Sequence, residues 1–165
     1  MATIAFKKTD AYLLKLSKLG DATEEVAEKA LKEGSYIVAD QVRANLNKIP
    51  TISFGQAIAD YRKKEPSKGI TAEAKAGLSS SFGITPMRKN GSDWDVHVGF
   101  DGYNSVVTKR FPHGQANAMV ARSVEKGSSA VARHPFVAPA VSATKKKCIE
   151  RMQQVIDEEF DKIMN

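Results

Sequence analysis

Residues 23–47, TEEVAEKALKEGSYIVADQVRANLN, decide the fold. Ala27, Ala30, Leu31, Gly34, Val38, Val42 and Leu46 recur at steps of three and four, which places them on one face of an α-helix. Asp21 or Thr23 can open that helix, Glu24 and Glu25 suit the positive end of its dipole, and Ile49-Pro50 stops it near Asn47. Roughly 25 residues at 1.5 Å each make a rod of about 38 Å, against a radius of gyration of roughly 15 Å for a chain of this size. The helix therefore spans the domain and organises it.

Upstream, Thr9 and Asp10 can cap a short amphipathic arm with Leu13, Leu16 and Leu19 on one face and Gly20 as its stop. Downstream, residues 51–69 are polar and punctuated by Gly55, Pro66 and Gly69, and read as a long loop with at most one helical turn. The central third reads as strands. Residues 78–87 hold Phe82, Ile84 and an edge-compatible Pro86, Asn90-Gly91-Ser92 supplies a turn, and Trp94, Val96, Val98 and Phe100 alternate with Asp95, His97 and Gly99. Tyr103, Val106 and Val107 then add a strand or begin a loop running through Pro112-His113-Gly114. A short helix follows over 116–126, ended by Gly127, and a long one, with Pro139 suited to its first turn, carries Val141, Ile149, Met152, Val155, Ile156, Phe160 and Ile163. The expected fold is α+β: one domain over 1–165 in which the long N-terminal and C-terminal helices pack on a small, mainly antiparallel sheet.

The composition is compatible with such a domain. The chain has 165 residues, 42% of them apolar and 27% charged, with a mean hydropathy of -0.34. Cys148 is the only cysteine, which excludes an internal disulfide and any multi-cysteine zinc site and fits a reducing compartment. The N-terminal residues read as neither a secretory segment nor a membrane span, so no membrane contact is expected. A formal charge of +6 is compatible with an acidic partner without naming one.

No reaction centre is legible. His97, His113 and His134 fall in three unlike segments with no paired spacing, so neither a metal nor a cofactor is expected. There is no nucleophile elbow, Walker loop or dinucleotide glycine pattern. Asp157, Glu158, Glu159 and Asp161 read as solvated helix charges, and Cys148 beside Lys145, Lys146, Lys147 and Arg151 as an incidental thiol. Four basic segments, around Arg62-Lys63-Lys64, Arg88-Lys89, Lys109-Arg110 and Lys145-Lys146-Lys147, read as solvated surface. A nucleic-acid reader would join such segments to exposed aromatics, a combination the sequence does not display.

Several motifs in order give the chain a likeness: the Leu13 to Leu19 opening and the long helix, Gly77-Leu78-Ser79-Ser80-Ser81-Phe82, the strand Val96-His97-Val98-Gly99-Phe100, then Val124-Glu125-Lys126-Gly127-Ser128-Ser129 and His134-Pro135-Phe136-Val137-Ala138-Pro139-Ala140. With these the chain resembles the tail-component family of long-tailed bacteriophages and prophages, described as tail-completion or head-to-tail joining proteins. Lys126 and His134 depart from the residues usual in that family. The resemblance implies a non-enzymatic subunit of a homo-oligomeric ring, commonly a hexamer, made in the host bacterial cytoplasm and placed in the virion between a tail-tube protein and a head-completion or connector protein. Passing contact with genomic DNA stays open, as does a monomeric state before assembly. Two excursions are the expected subunit or partner interface, through Phe54, Tyr61 and Arg62 in the first and Lys109, Arg110, Phe111 and His113 in the second. Glu125, Gly127, Pro135, Phe136 and Pro139 are expected to be structural: a helix stop, a core aromatic and a helix start. The alternative is a basic nucleic-acid-binding protein of a phage or prophage.

Overall fold

A computed structural model describes residues 2–4, 22–91, 93–107 and 109–164. Its elements run β1 (Ala2–Ile4), α1 (Thr23–Lys48), β2 (Thr51–Ile52), α2 (Phe54–Lys63), β3 (Ile70–Thr71), α3 (Ala72–Ser81), β4 (Phe82–Ile84), β5 (Arg88–Asn90), β6 (Asp93–Phe100), α4 (Asn117–Lys126) and α5 (Val137–Met164). The expected arm around Leu13, Leu16 and Leu19 lies outside the described residues.

The fold is α+β, and the organising helix is the expected one. Along α1, Val26, Ala30, Leu31, Val38, Val42 and Leu46 are buried, and α5 answers with Ala140, Cys148, Met152, Val155 and Ile156. The two helices are antiparallel, because Lys29 pairs with Glu159 while Glu33 meets Arg151 at 3.3 Å. Gly34 sits where they come closest: a Cβ there would lie 2.7 Å from Met152 Cγ and 3.1 Å from Cys148 Sγ. At the far end of α1, Lys75 Nζ donates to the carbonyls of Asn47 and Ile49, both at 2.8 Å, satisfying acceptors that the helix terminus leaves open.

β6 is the centre of the sheet. β1 pairs antiparallel on one side (Ala2↔Val98, Ile4↔Val96) and β4 on the other (Phe82↔Phe100, Ile84↔Val98). β5 pairs antiparallel further along β6, with Arg88 opposite Asp95. From Ile84 to Arg88 is one step more than from Val98 to Asp95, so Thr85, Pro86 and Met87 form a bulge on the edge, where a missing proline N–H costs nothing. Thr85 Oγ1 there accepts the His97 N–H at 3.0 Å. Phe82, Phe100 and Phe136 stack in sequence at 4.9 and 5.9 Å between centroids, joining sheet to α5. Val96, Val98 and Phe136 complete the core, each such buried side chain contributing about 1.5–3 kcal/mol.

Two expectations need correction and two are made definite. The segment expected as a loop over 51–69 contains a ten-residue helix, α2, because Ser53 Oγ caps it by accepting the Gln56 N–H at 3.1 Å and Gln56 holds Asp60 one turn later at 2.6 Å. The strand expected from residue 78 begins only at Phe82: Thr71 Oγ1 accepts the Ala74 N–H at 3.2 Å, and the alanine-rich run after it carries α3 through Leu78 to Ser81. Val106 and Val107 form no strand. The last helix starts at Val137, with Pro139 in its first turn as expected.

Candidate functional site

The most specific sequence motif turns out to be a joint within the chain. Gly127 ends α4 at φ 81, and Arg133 packs so close that a Cβ on Gly127 would lie 3.2 Å from its Cβ. Ser128 Oγ accepts the Ala130 and Val131 N–H groups, and the His134 N–H returns to the Val124 carbonyl at 2.8 Å. This return brings the start of α5 beside Glu125. The Glu125 carboxylate accepts the N–H groups of Phe136 at 2.7 Å, Val137 at 2.8 Å and Ala138 at 3.0 Å. Glu125 thus caps a helix eleven residues ahead, placing negative charge where the dipole favours it. Phe136 is fully buried and Asn45 Nδ2 donates to its carbonyl at 3.1 Å. Gly127 ends α4, Phe136 fills the core and Pro139 lies in the first turn of α5, Pro135 precedes the buried ring, and the capping by Glu125 has no counterpart in the sequence reading.

Between β6 and α4, residues 101–116 form an excursion held shut at its base. Tyr103 and Ala116 make an isolated antiparallel bridge. Inside it the buried Asn104 accepts the Val106 and Gln115 N–H groups through Oδ1, at 3.2 and 2.9 Å. Gly114, at φ 84, lies so close to the Asn104 carbonyl oxygen that no Cβ would fit. Asn117, also buried, donates from Nδ2 to the Asp101 carbonyl at 3.0 Å. Beyond this base the excursion faces water: Tyr103, on the base itself, is 69% exposed, and Val107 further out 67%. Lys109, Arg110 and His113 are exposed and Phe111 half-buried under the Arg110 guanidinium, 5.5 Å from the ring centroid. The sequence places Tyr103 and Val107 in a strand or loop without marking them as contact residues, since only the tied base leaves them outside.

The other expected interface residues stand on α2. None of its residues is buried. Phe54 is 59% and Tyr61 71% exposed, with Ile58 between them on the same face, and Arg62 follows in the last turn. The excursion is clipped at its return by Ser67, whose N–H reaches the Ala130 carbonyl at 3.0 Å, and by the parallel pair β2–β3.

A cleft of about 890 Å³ lies between α1, β6, α4 and the start of α5, with Val42, Phe100, Met119 and Val141 in its apolar lining and Arg122 and Lys126 among its polar residues. Its titratable lining is Arg122, Glu125 and Lys126, with no histidine or cysteine among the lining residues. His97 Nε2 lies 2.9 Å from Asp95 Oδ2 on β6, His113 is on the exposed excursion and His134 in the joint before α5. Among the described residues no three His, Cys, Asp or Glu side chains cluster as a metal site. Burial pushes the Cys148 thiol up from its ordinary value, so the lysines beside it in sequence do not activate it. In the acidic run of α5, hydrogen bonds from Lys162, at 2.8 Å, and from Lys29 hold Glu159 down at about 2. No helix is long and apolar enough to cross a membrane among the described residues.

Compared with protein-family profiles, curated proteins and solved structures, the chain matches none of them. The likeness to tail-component proteins rests on the motifs quoted above.

Proposed function

We propose that this chain is a non-enzymatic assembly subunit of a tailed-phage virion, completing the tail or joining it to the head as a member of a closed ring. The observation that supports the reading best is the excursion over 101–116. Its buried Asn104 base is preorganised while Tyr103 beside that base and Val107 beyond it stand in water, an arrangement that lowers the ordering cost of contact with a neighbour. Ring closure needs two unlike, complementary surfaces on each copy, and the apolar cleft beside α4 is a concave counterpart to that excursion. In this reading six copies close the ring, the number the family resemblance implies, with the tail-tube protein on one side and a head-completion or connector protein on the other. The chain is made in the bacterial cytoplasm and ends in the virion.

Deleting the gene and imaging the particles tests this. Separate heads and tails are the result expected of a joining role, and tails of uncontrolled length that of a terminator. Normal infectious particles would overturn the reading. Tyr103→Ser with Val107→Ser should fail to complement the deletion while melting like the parent.

A further inference from the structure

α2, whose Phe54, Tyr61 and Arg62 are expected from the sequence as a subunit or partner contact, is a surface for which the excursion-and-cleft ring contact supplies no occupant. Phe54, Ile58 and Tyr61 stand at i, i+4 and i+7, spanning about 10.5 Å along one face, and both rings are mostly in water. Arg62, Lys63, Lys64 and Lys68 follow directly, all exposed, with Glu65 the only acid among them. Lys64 turns the chain in the left-handed region, φ 58, and closes the helix by donating to the Asp60 and Tyr61 carbonyls. A helix dipole accounts for a cation or two in the last turn. It gives no reason for two large aromatics to remain unburied beside them.

Aromatic faces next to a basic run suit a polyanion that carries its own flat rings. Phosphates match the cations, and unpaired bases stack on phenyl and phenol faces whatever their sequence. A second copy of this chain is a poorer fit, because the apolar cleft it offers carries Arg122 and Lys126, of the same sign as the end of α2, and its one acid, Glu125, is engaged by the N–H groups at the start of α5. We propose that α2 is a binding site for single-stranded nucleic acid, with Phe54 and Tyr61 stacking bases and Arg62, Lys63, Lys64 and Lys68 contacting the backbone.

The full chain is titrated against a labelled oligothymidylate of about 15 nucleotides, within the site sizes typical of such surfaces, and against a duplex of the same length, by fluorescence anisotropy. Four phosphate contacts at a slope of about -0.7 each predict a loss of about 50-fold in affinity for the strand between about 50 and 200 mM salt. Lys63→Glu with Lys64→Glu should roughly halve that slope. Phe54→Ala with Tyr61→Ala should weaken the strand at least about 30-fold at low salt and leave the slope alone, while Phe54→Trp with Tyr61→Trp keeps binding. Every altered side chain is exposed, and melting curves matching the parent check the fold. The proposal is overturned by no binding of the strand at low salt, by binding that survives the charge and alanine variants alike, or by a duplex preference that ignores the aromatics. Sedimentation showing self-association that Phe54→Ala with Tyr61→Ala abolishes would assign the face to a second copy instead, and would overturn it as well. None of these outcomes bears on particle morphology after deletion, so the assembly reading stands or falls separately.

Discussion

Glu125 Oε2 lies 2.7 Å from the backbone nitrogen of Phe136, so the end of α4 caps the start of α5. The same carboxylate serves Val137 and Ala138. Replacing it with alanine strands three N–H groups at the mouth of the helix that forms half the core. Glu125→Ala should cost about 2–3 kcal/mol, the range for charge-assisted bonds and caps combined. Glu125→Gln, which keeps an acceptor but no charge, should cost less. Urea unfolding of both variants measures this, and equal losses would mean that charge contributes nothing.

Gly34 against Met152 is a steric prediction. Alanine in a helix interior ordinarily gains about 1 kcal/mol over glycine. Here its methyl would overlap Met152 and crowd Cys148, and overpacking of a filled core costs about 1–3 kcal/mol. Gly34→Ala should therefore destabilise on balance. Shortening the neighbour with Met152→Val should recover part of the loss, and a double-mutant cycle reads the coupling.

Gly114 controls the excursion rather than the core. At φ 84, with the Asn104 carbonyl oxygen where a Cβ would have to stand, it leaves an alanine neither the conformation nor the space. Gly114→Ala should speed amide exchange across 101–116 and leave the amides of α1 and α5 protected. Under the proposed function, particles complemented with this variant assemble poorly despite a near-parental melting temperature.

Among the described residues, the Glu159 carboxylate contributes to the acid limb of stability. Glu159 is held down at about 2 by hydrogen bonds from Lys162 and Lys29, against an ordinary value of 4.5. A lowered carboxylate contributes fully above its unfolded value and loses that contribution as pH falls towards its folded one. The melting difference between the parent and Glu159→Gln should be level above about pH 4.5 and shrink between about 4.5 and 2. Added salt should reduce it too, because the pairs are at the surface.

Much of this architecture is legible in the chain. The three- and four-step recurrence from Ala27 to Leu46 and the alternation from Trp94 to Phe100 each report burial on one face, and a face that must be buried leaves a period in the text. Gly127, Phe136 and Pro139 were legible as stop, core and start. α2 and the first residues of α3 were not. A ten-residue helix with no buried side chain has no core-facing stripe to read, and its formation rests on Ser53 and on the β2–β3 clip. Leu78 lies in a short apolar-and-serine run whose period distinguishes neither state, and the Thr71 cap settles it.

Local periodicity and turn chemistry alone determined the two long helices, the central strand and the break at Gly127, since each follows from which neighbours along the chain share a face. Tertiary structure alone decided that Glu125 caps α5, that Asn104 ties an excursion whose tip stays wet, and that Phe54 and Tyr61 stand in water beside a basic run. Those facts depend on contacts between residues far apart in sequence, or on the absence of burial, and neither leaves a repeat in the chain to be read.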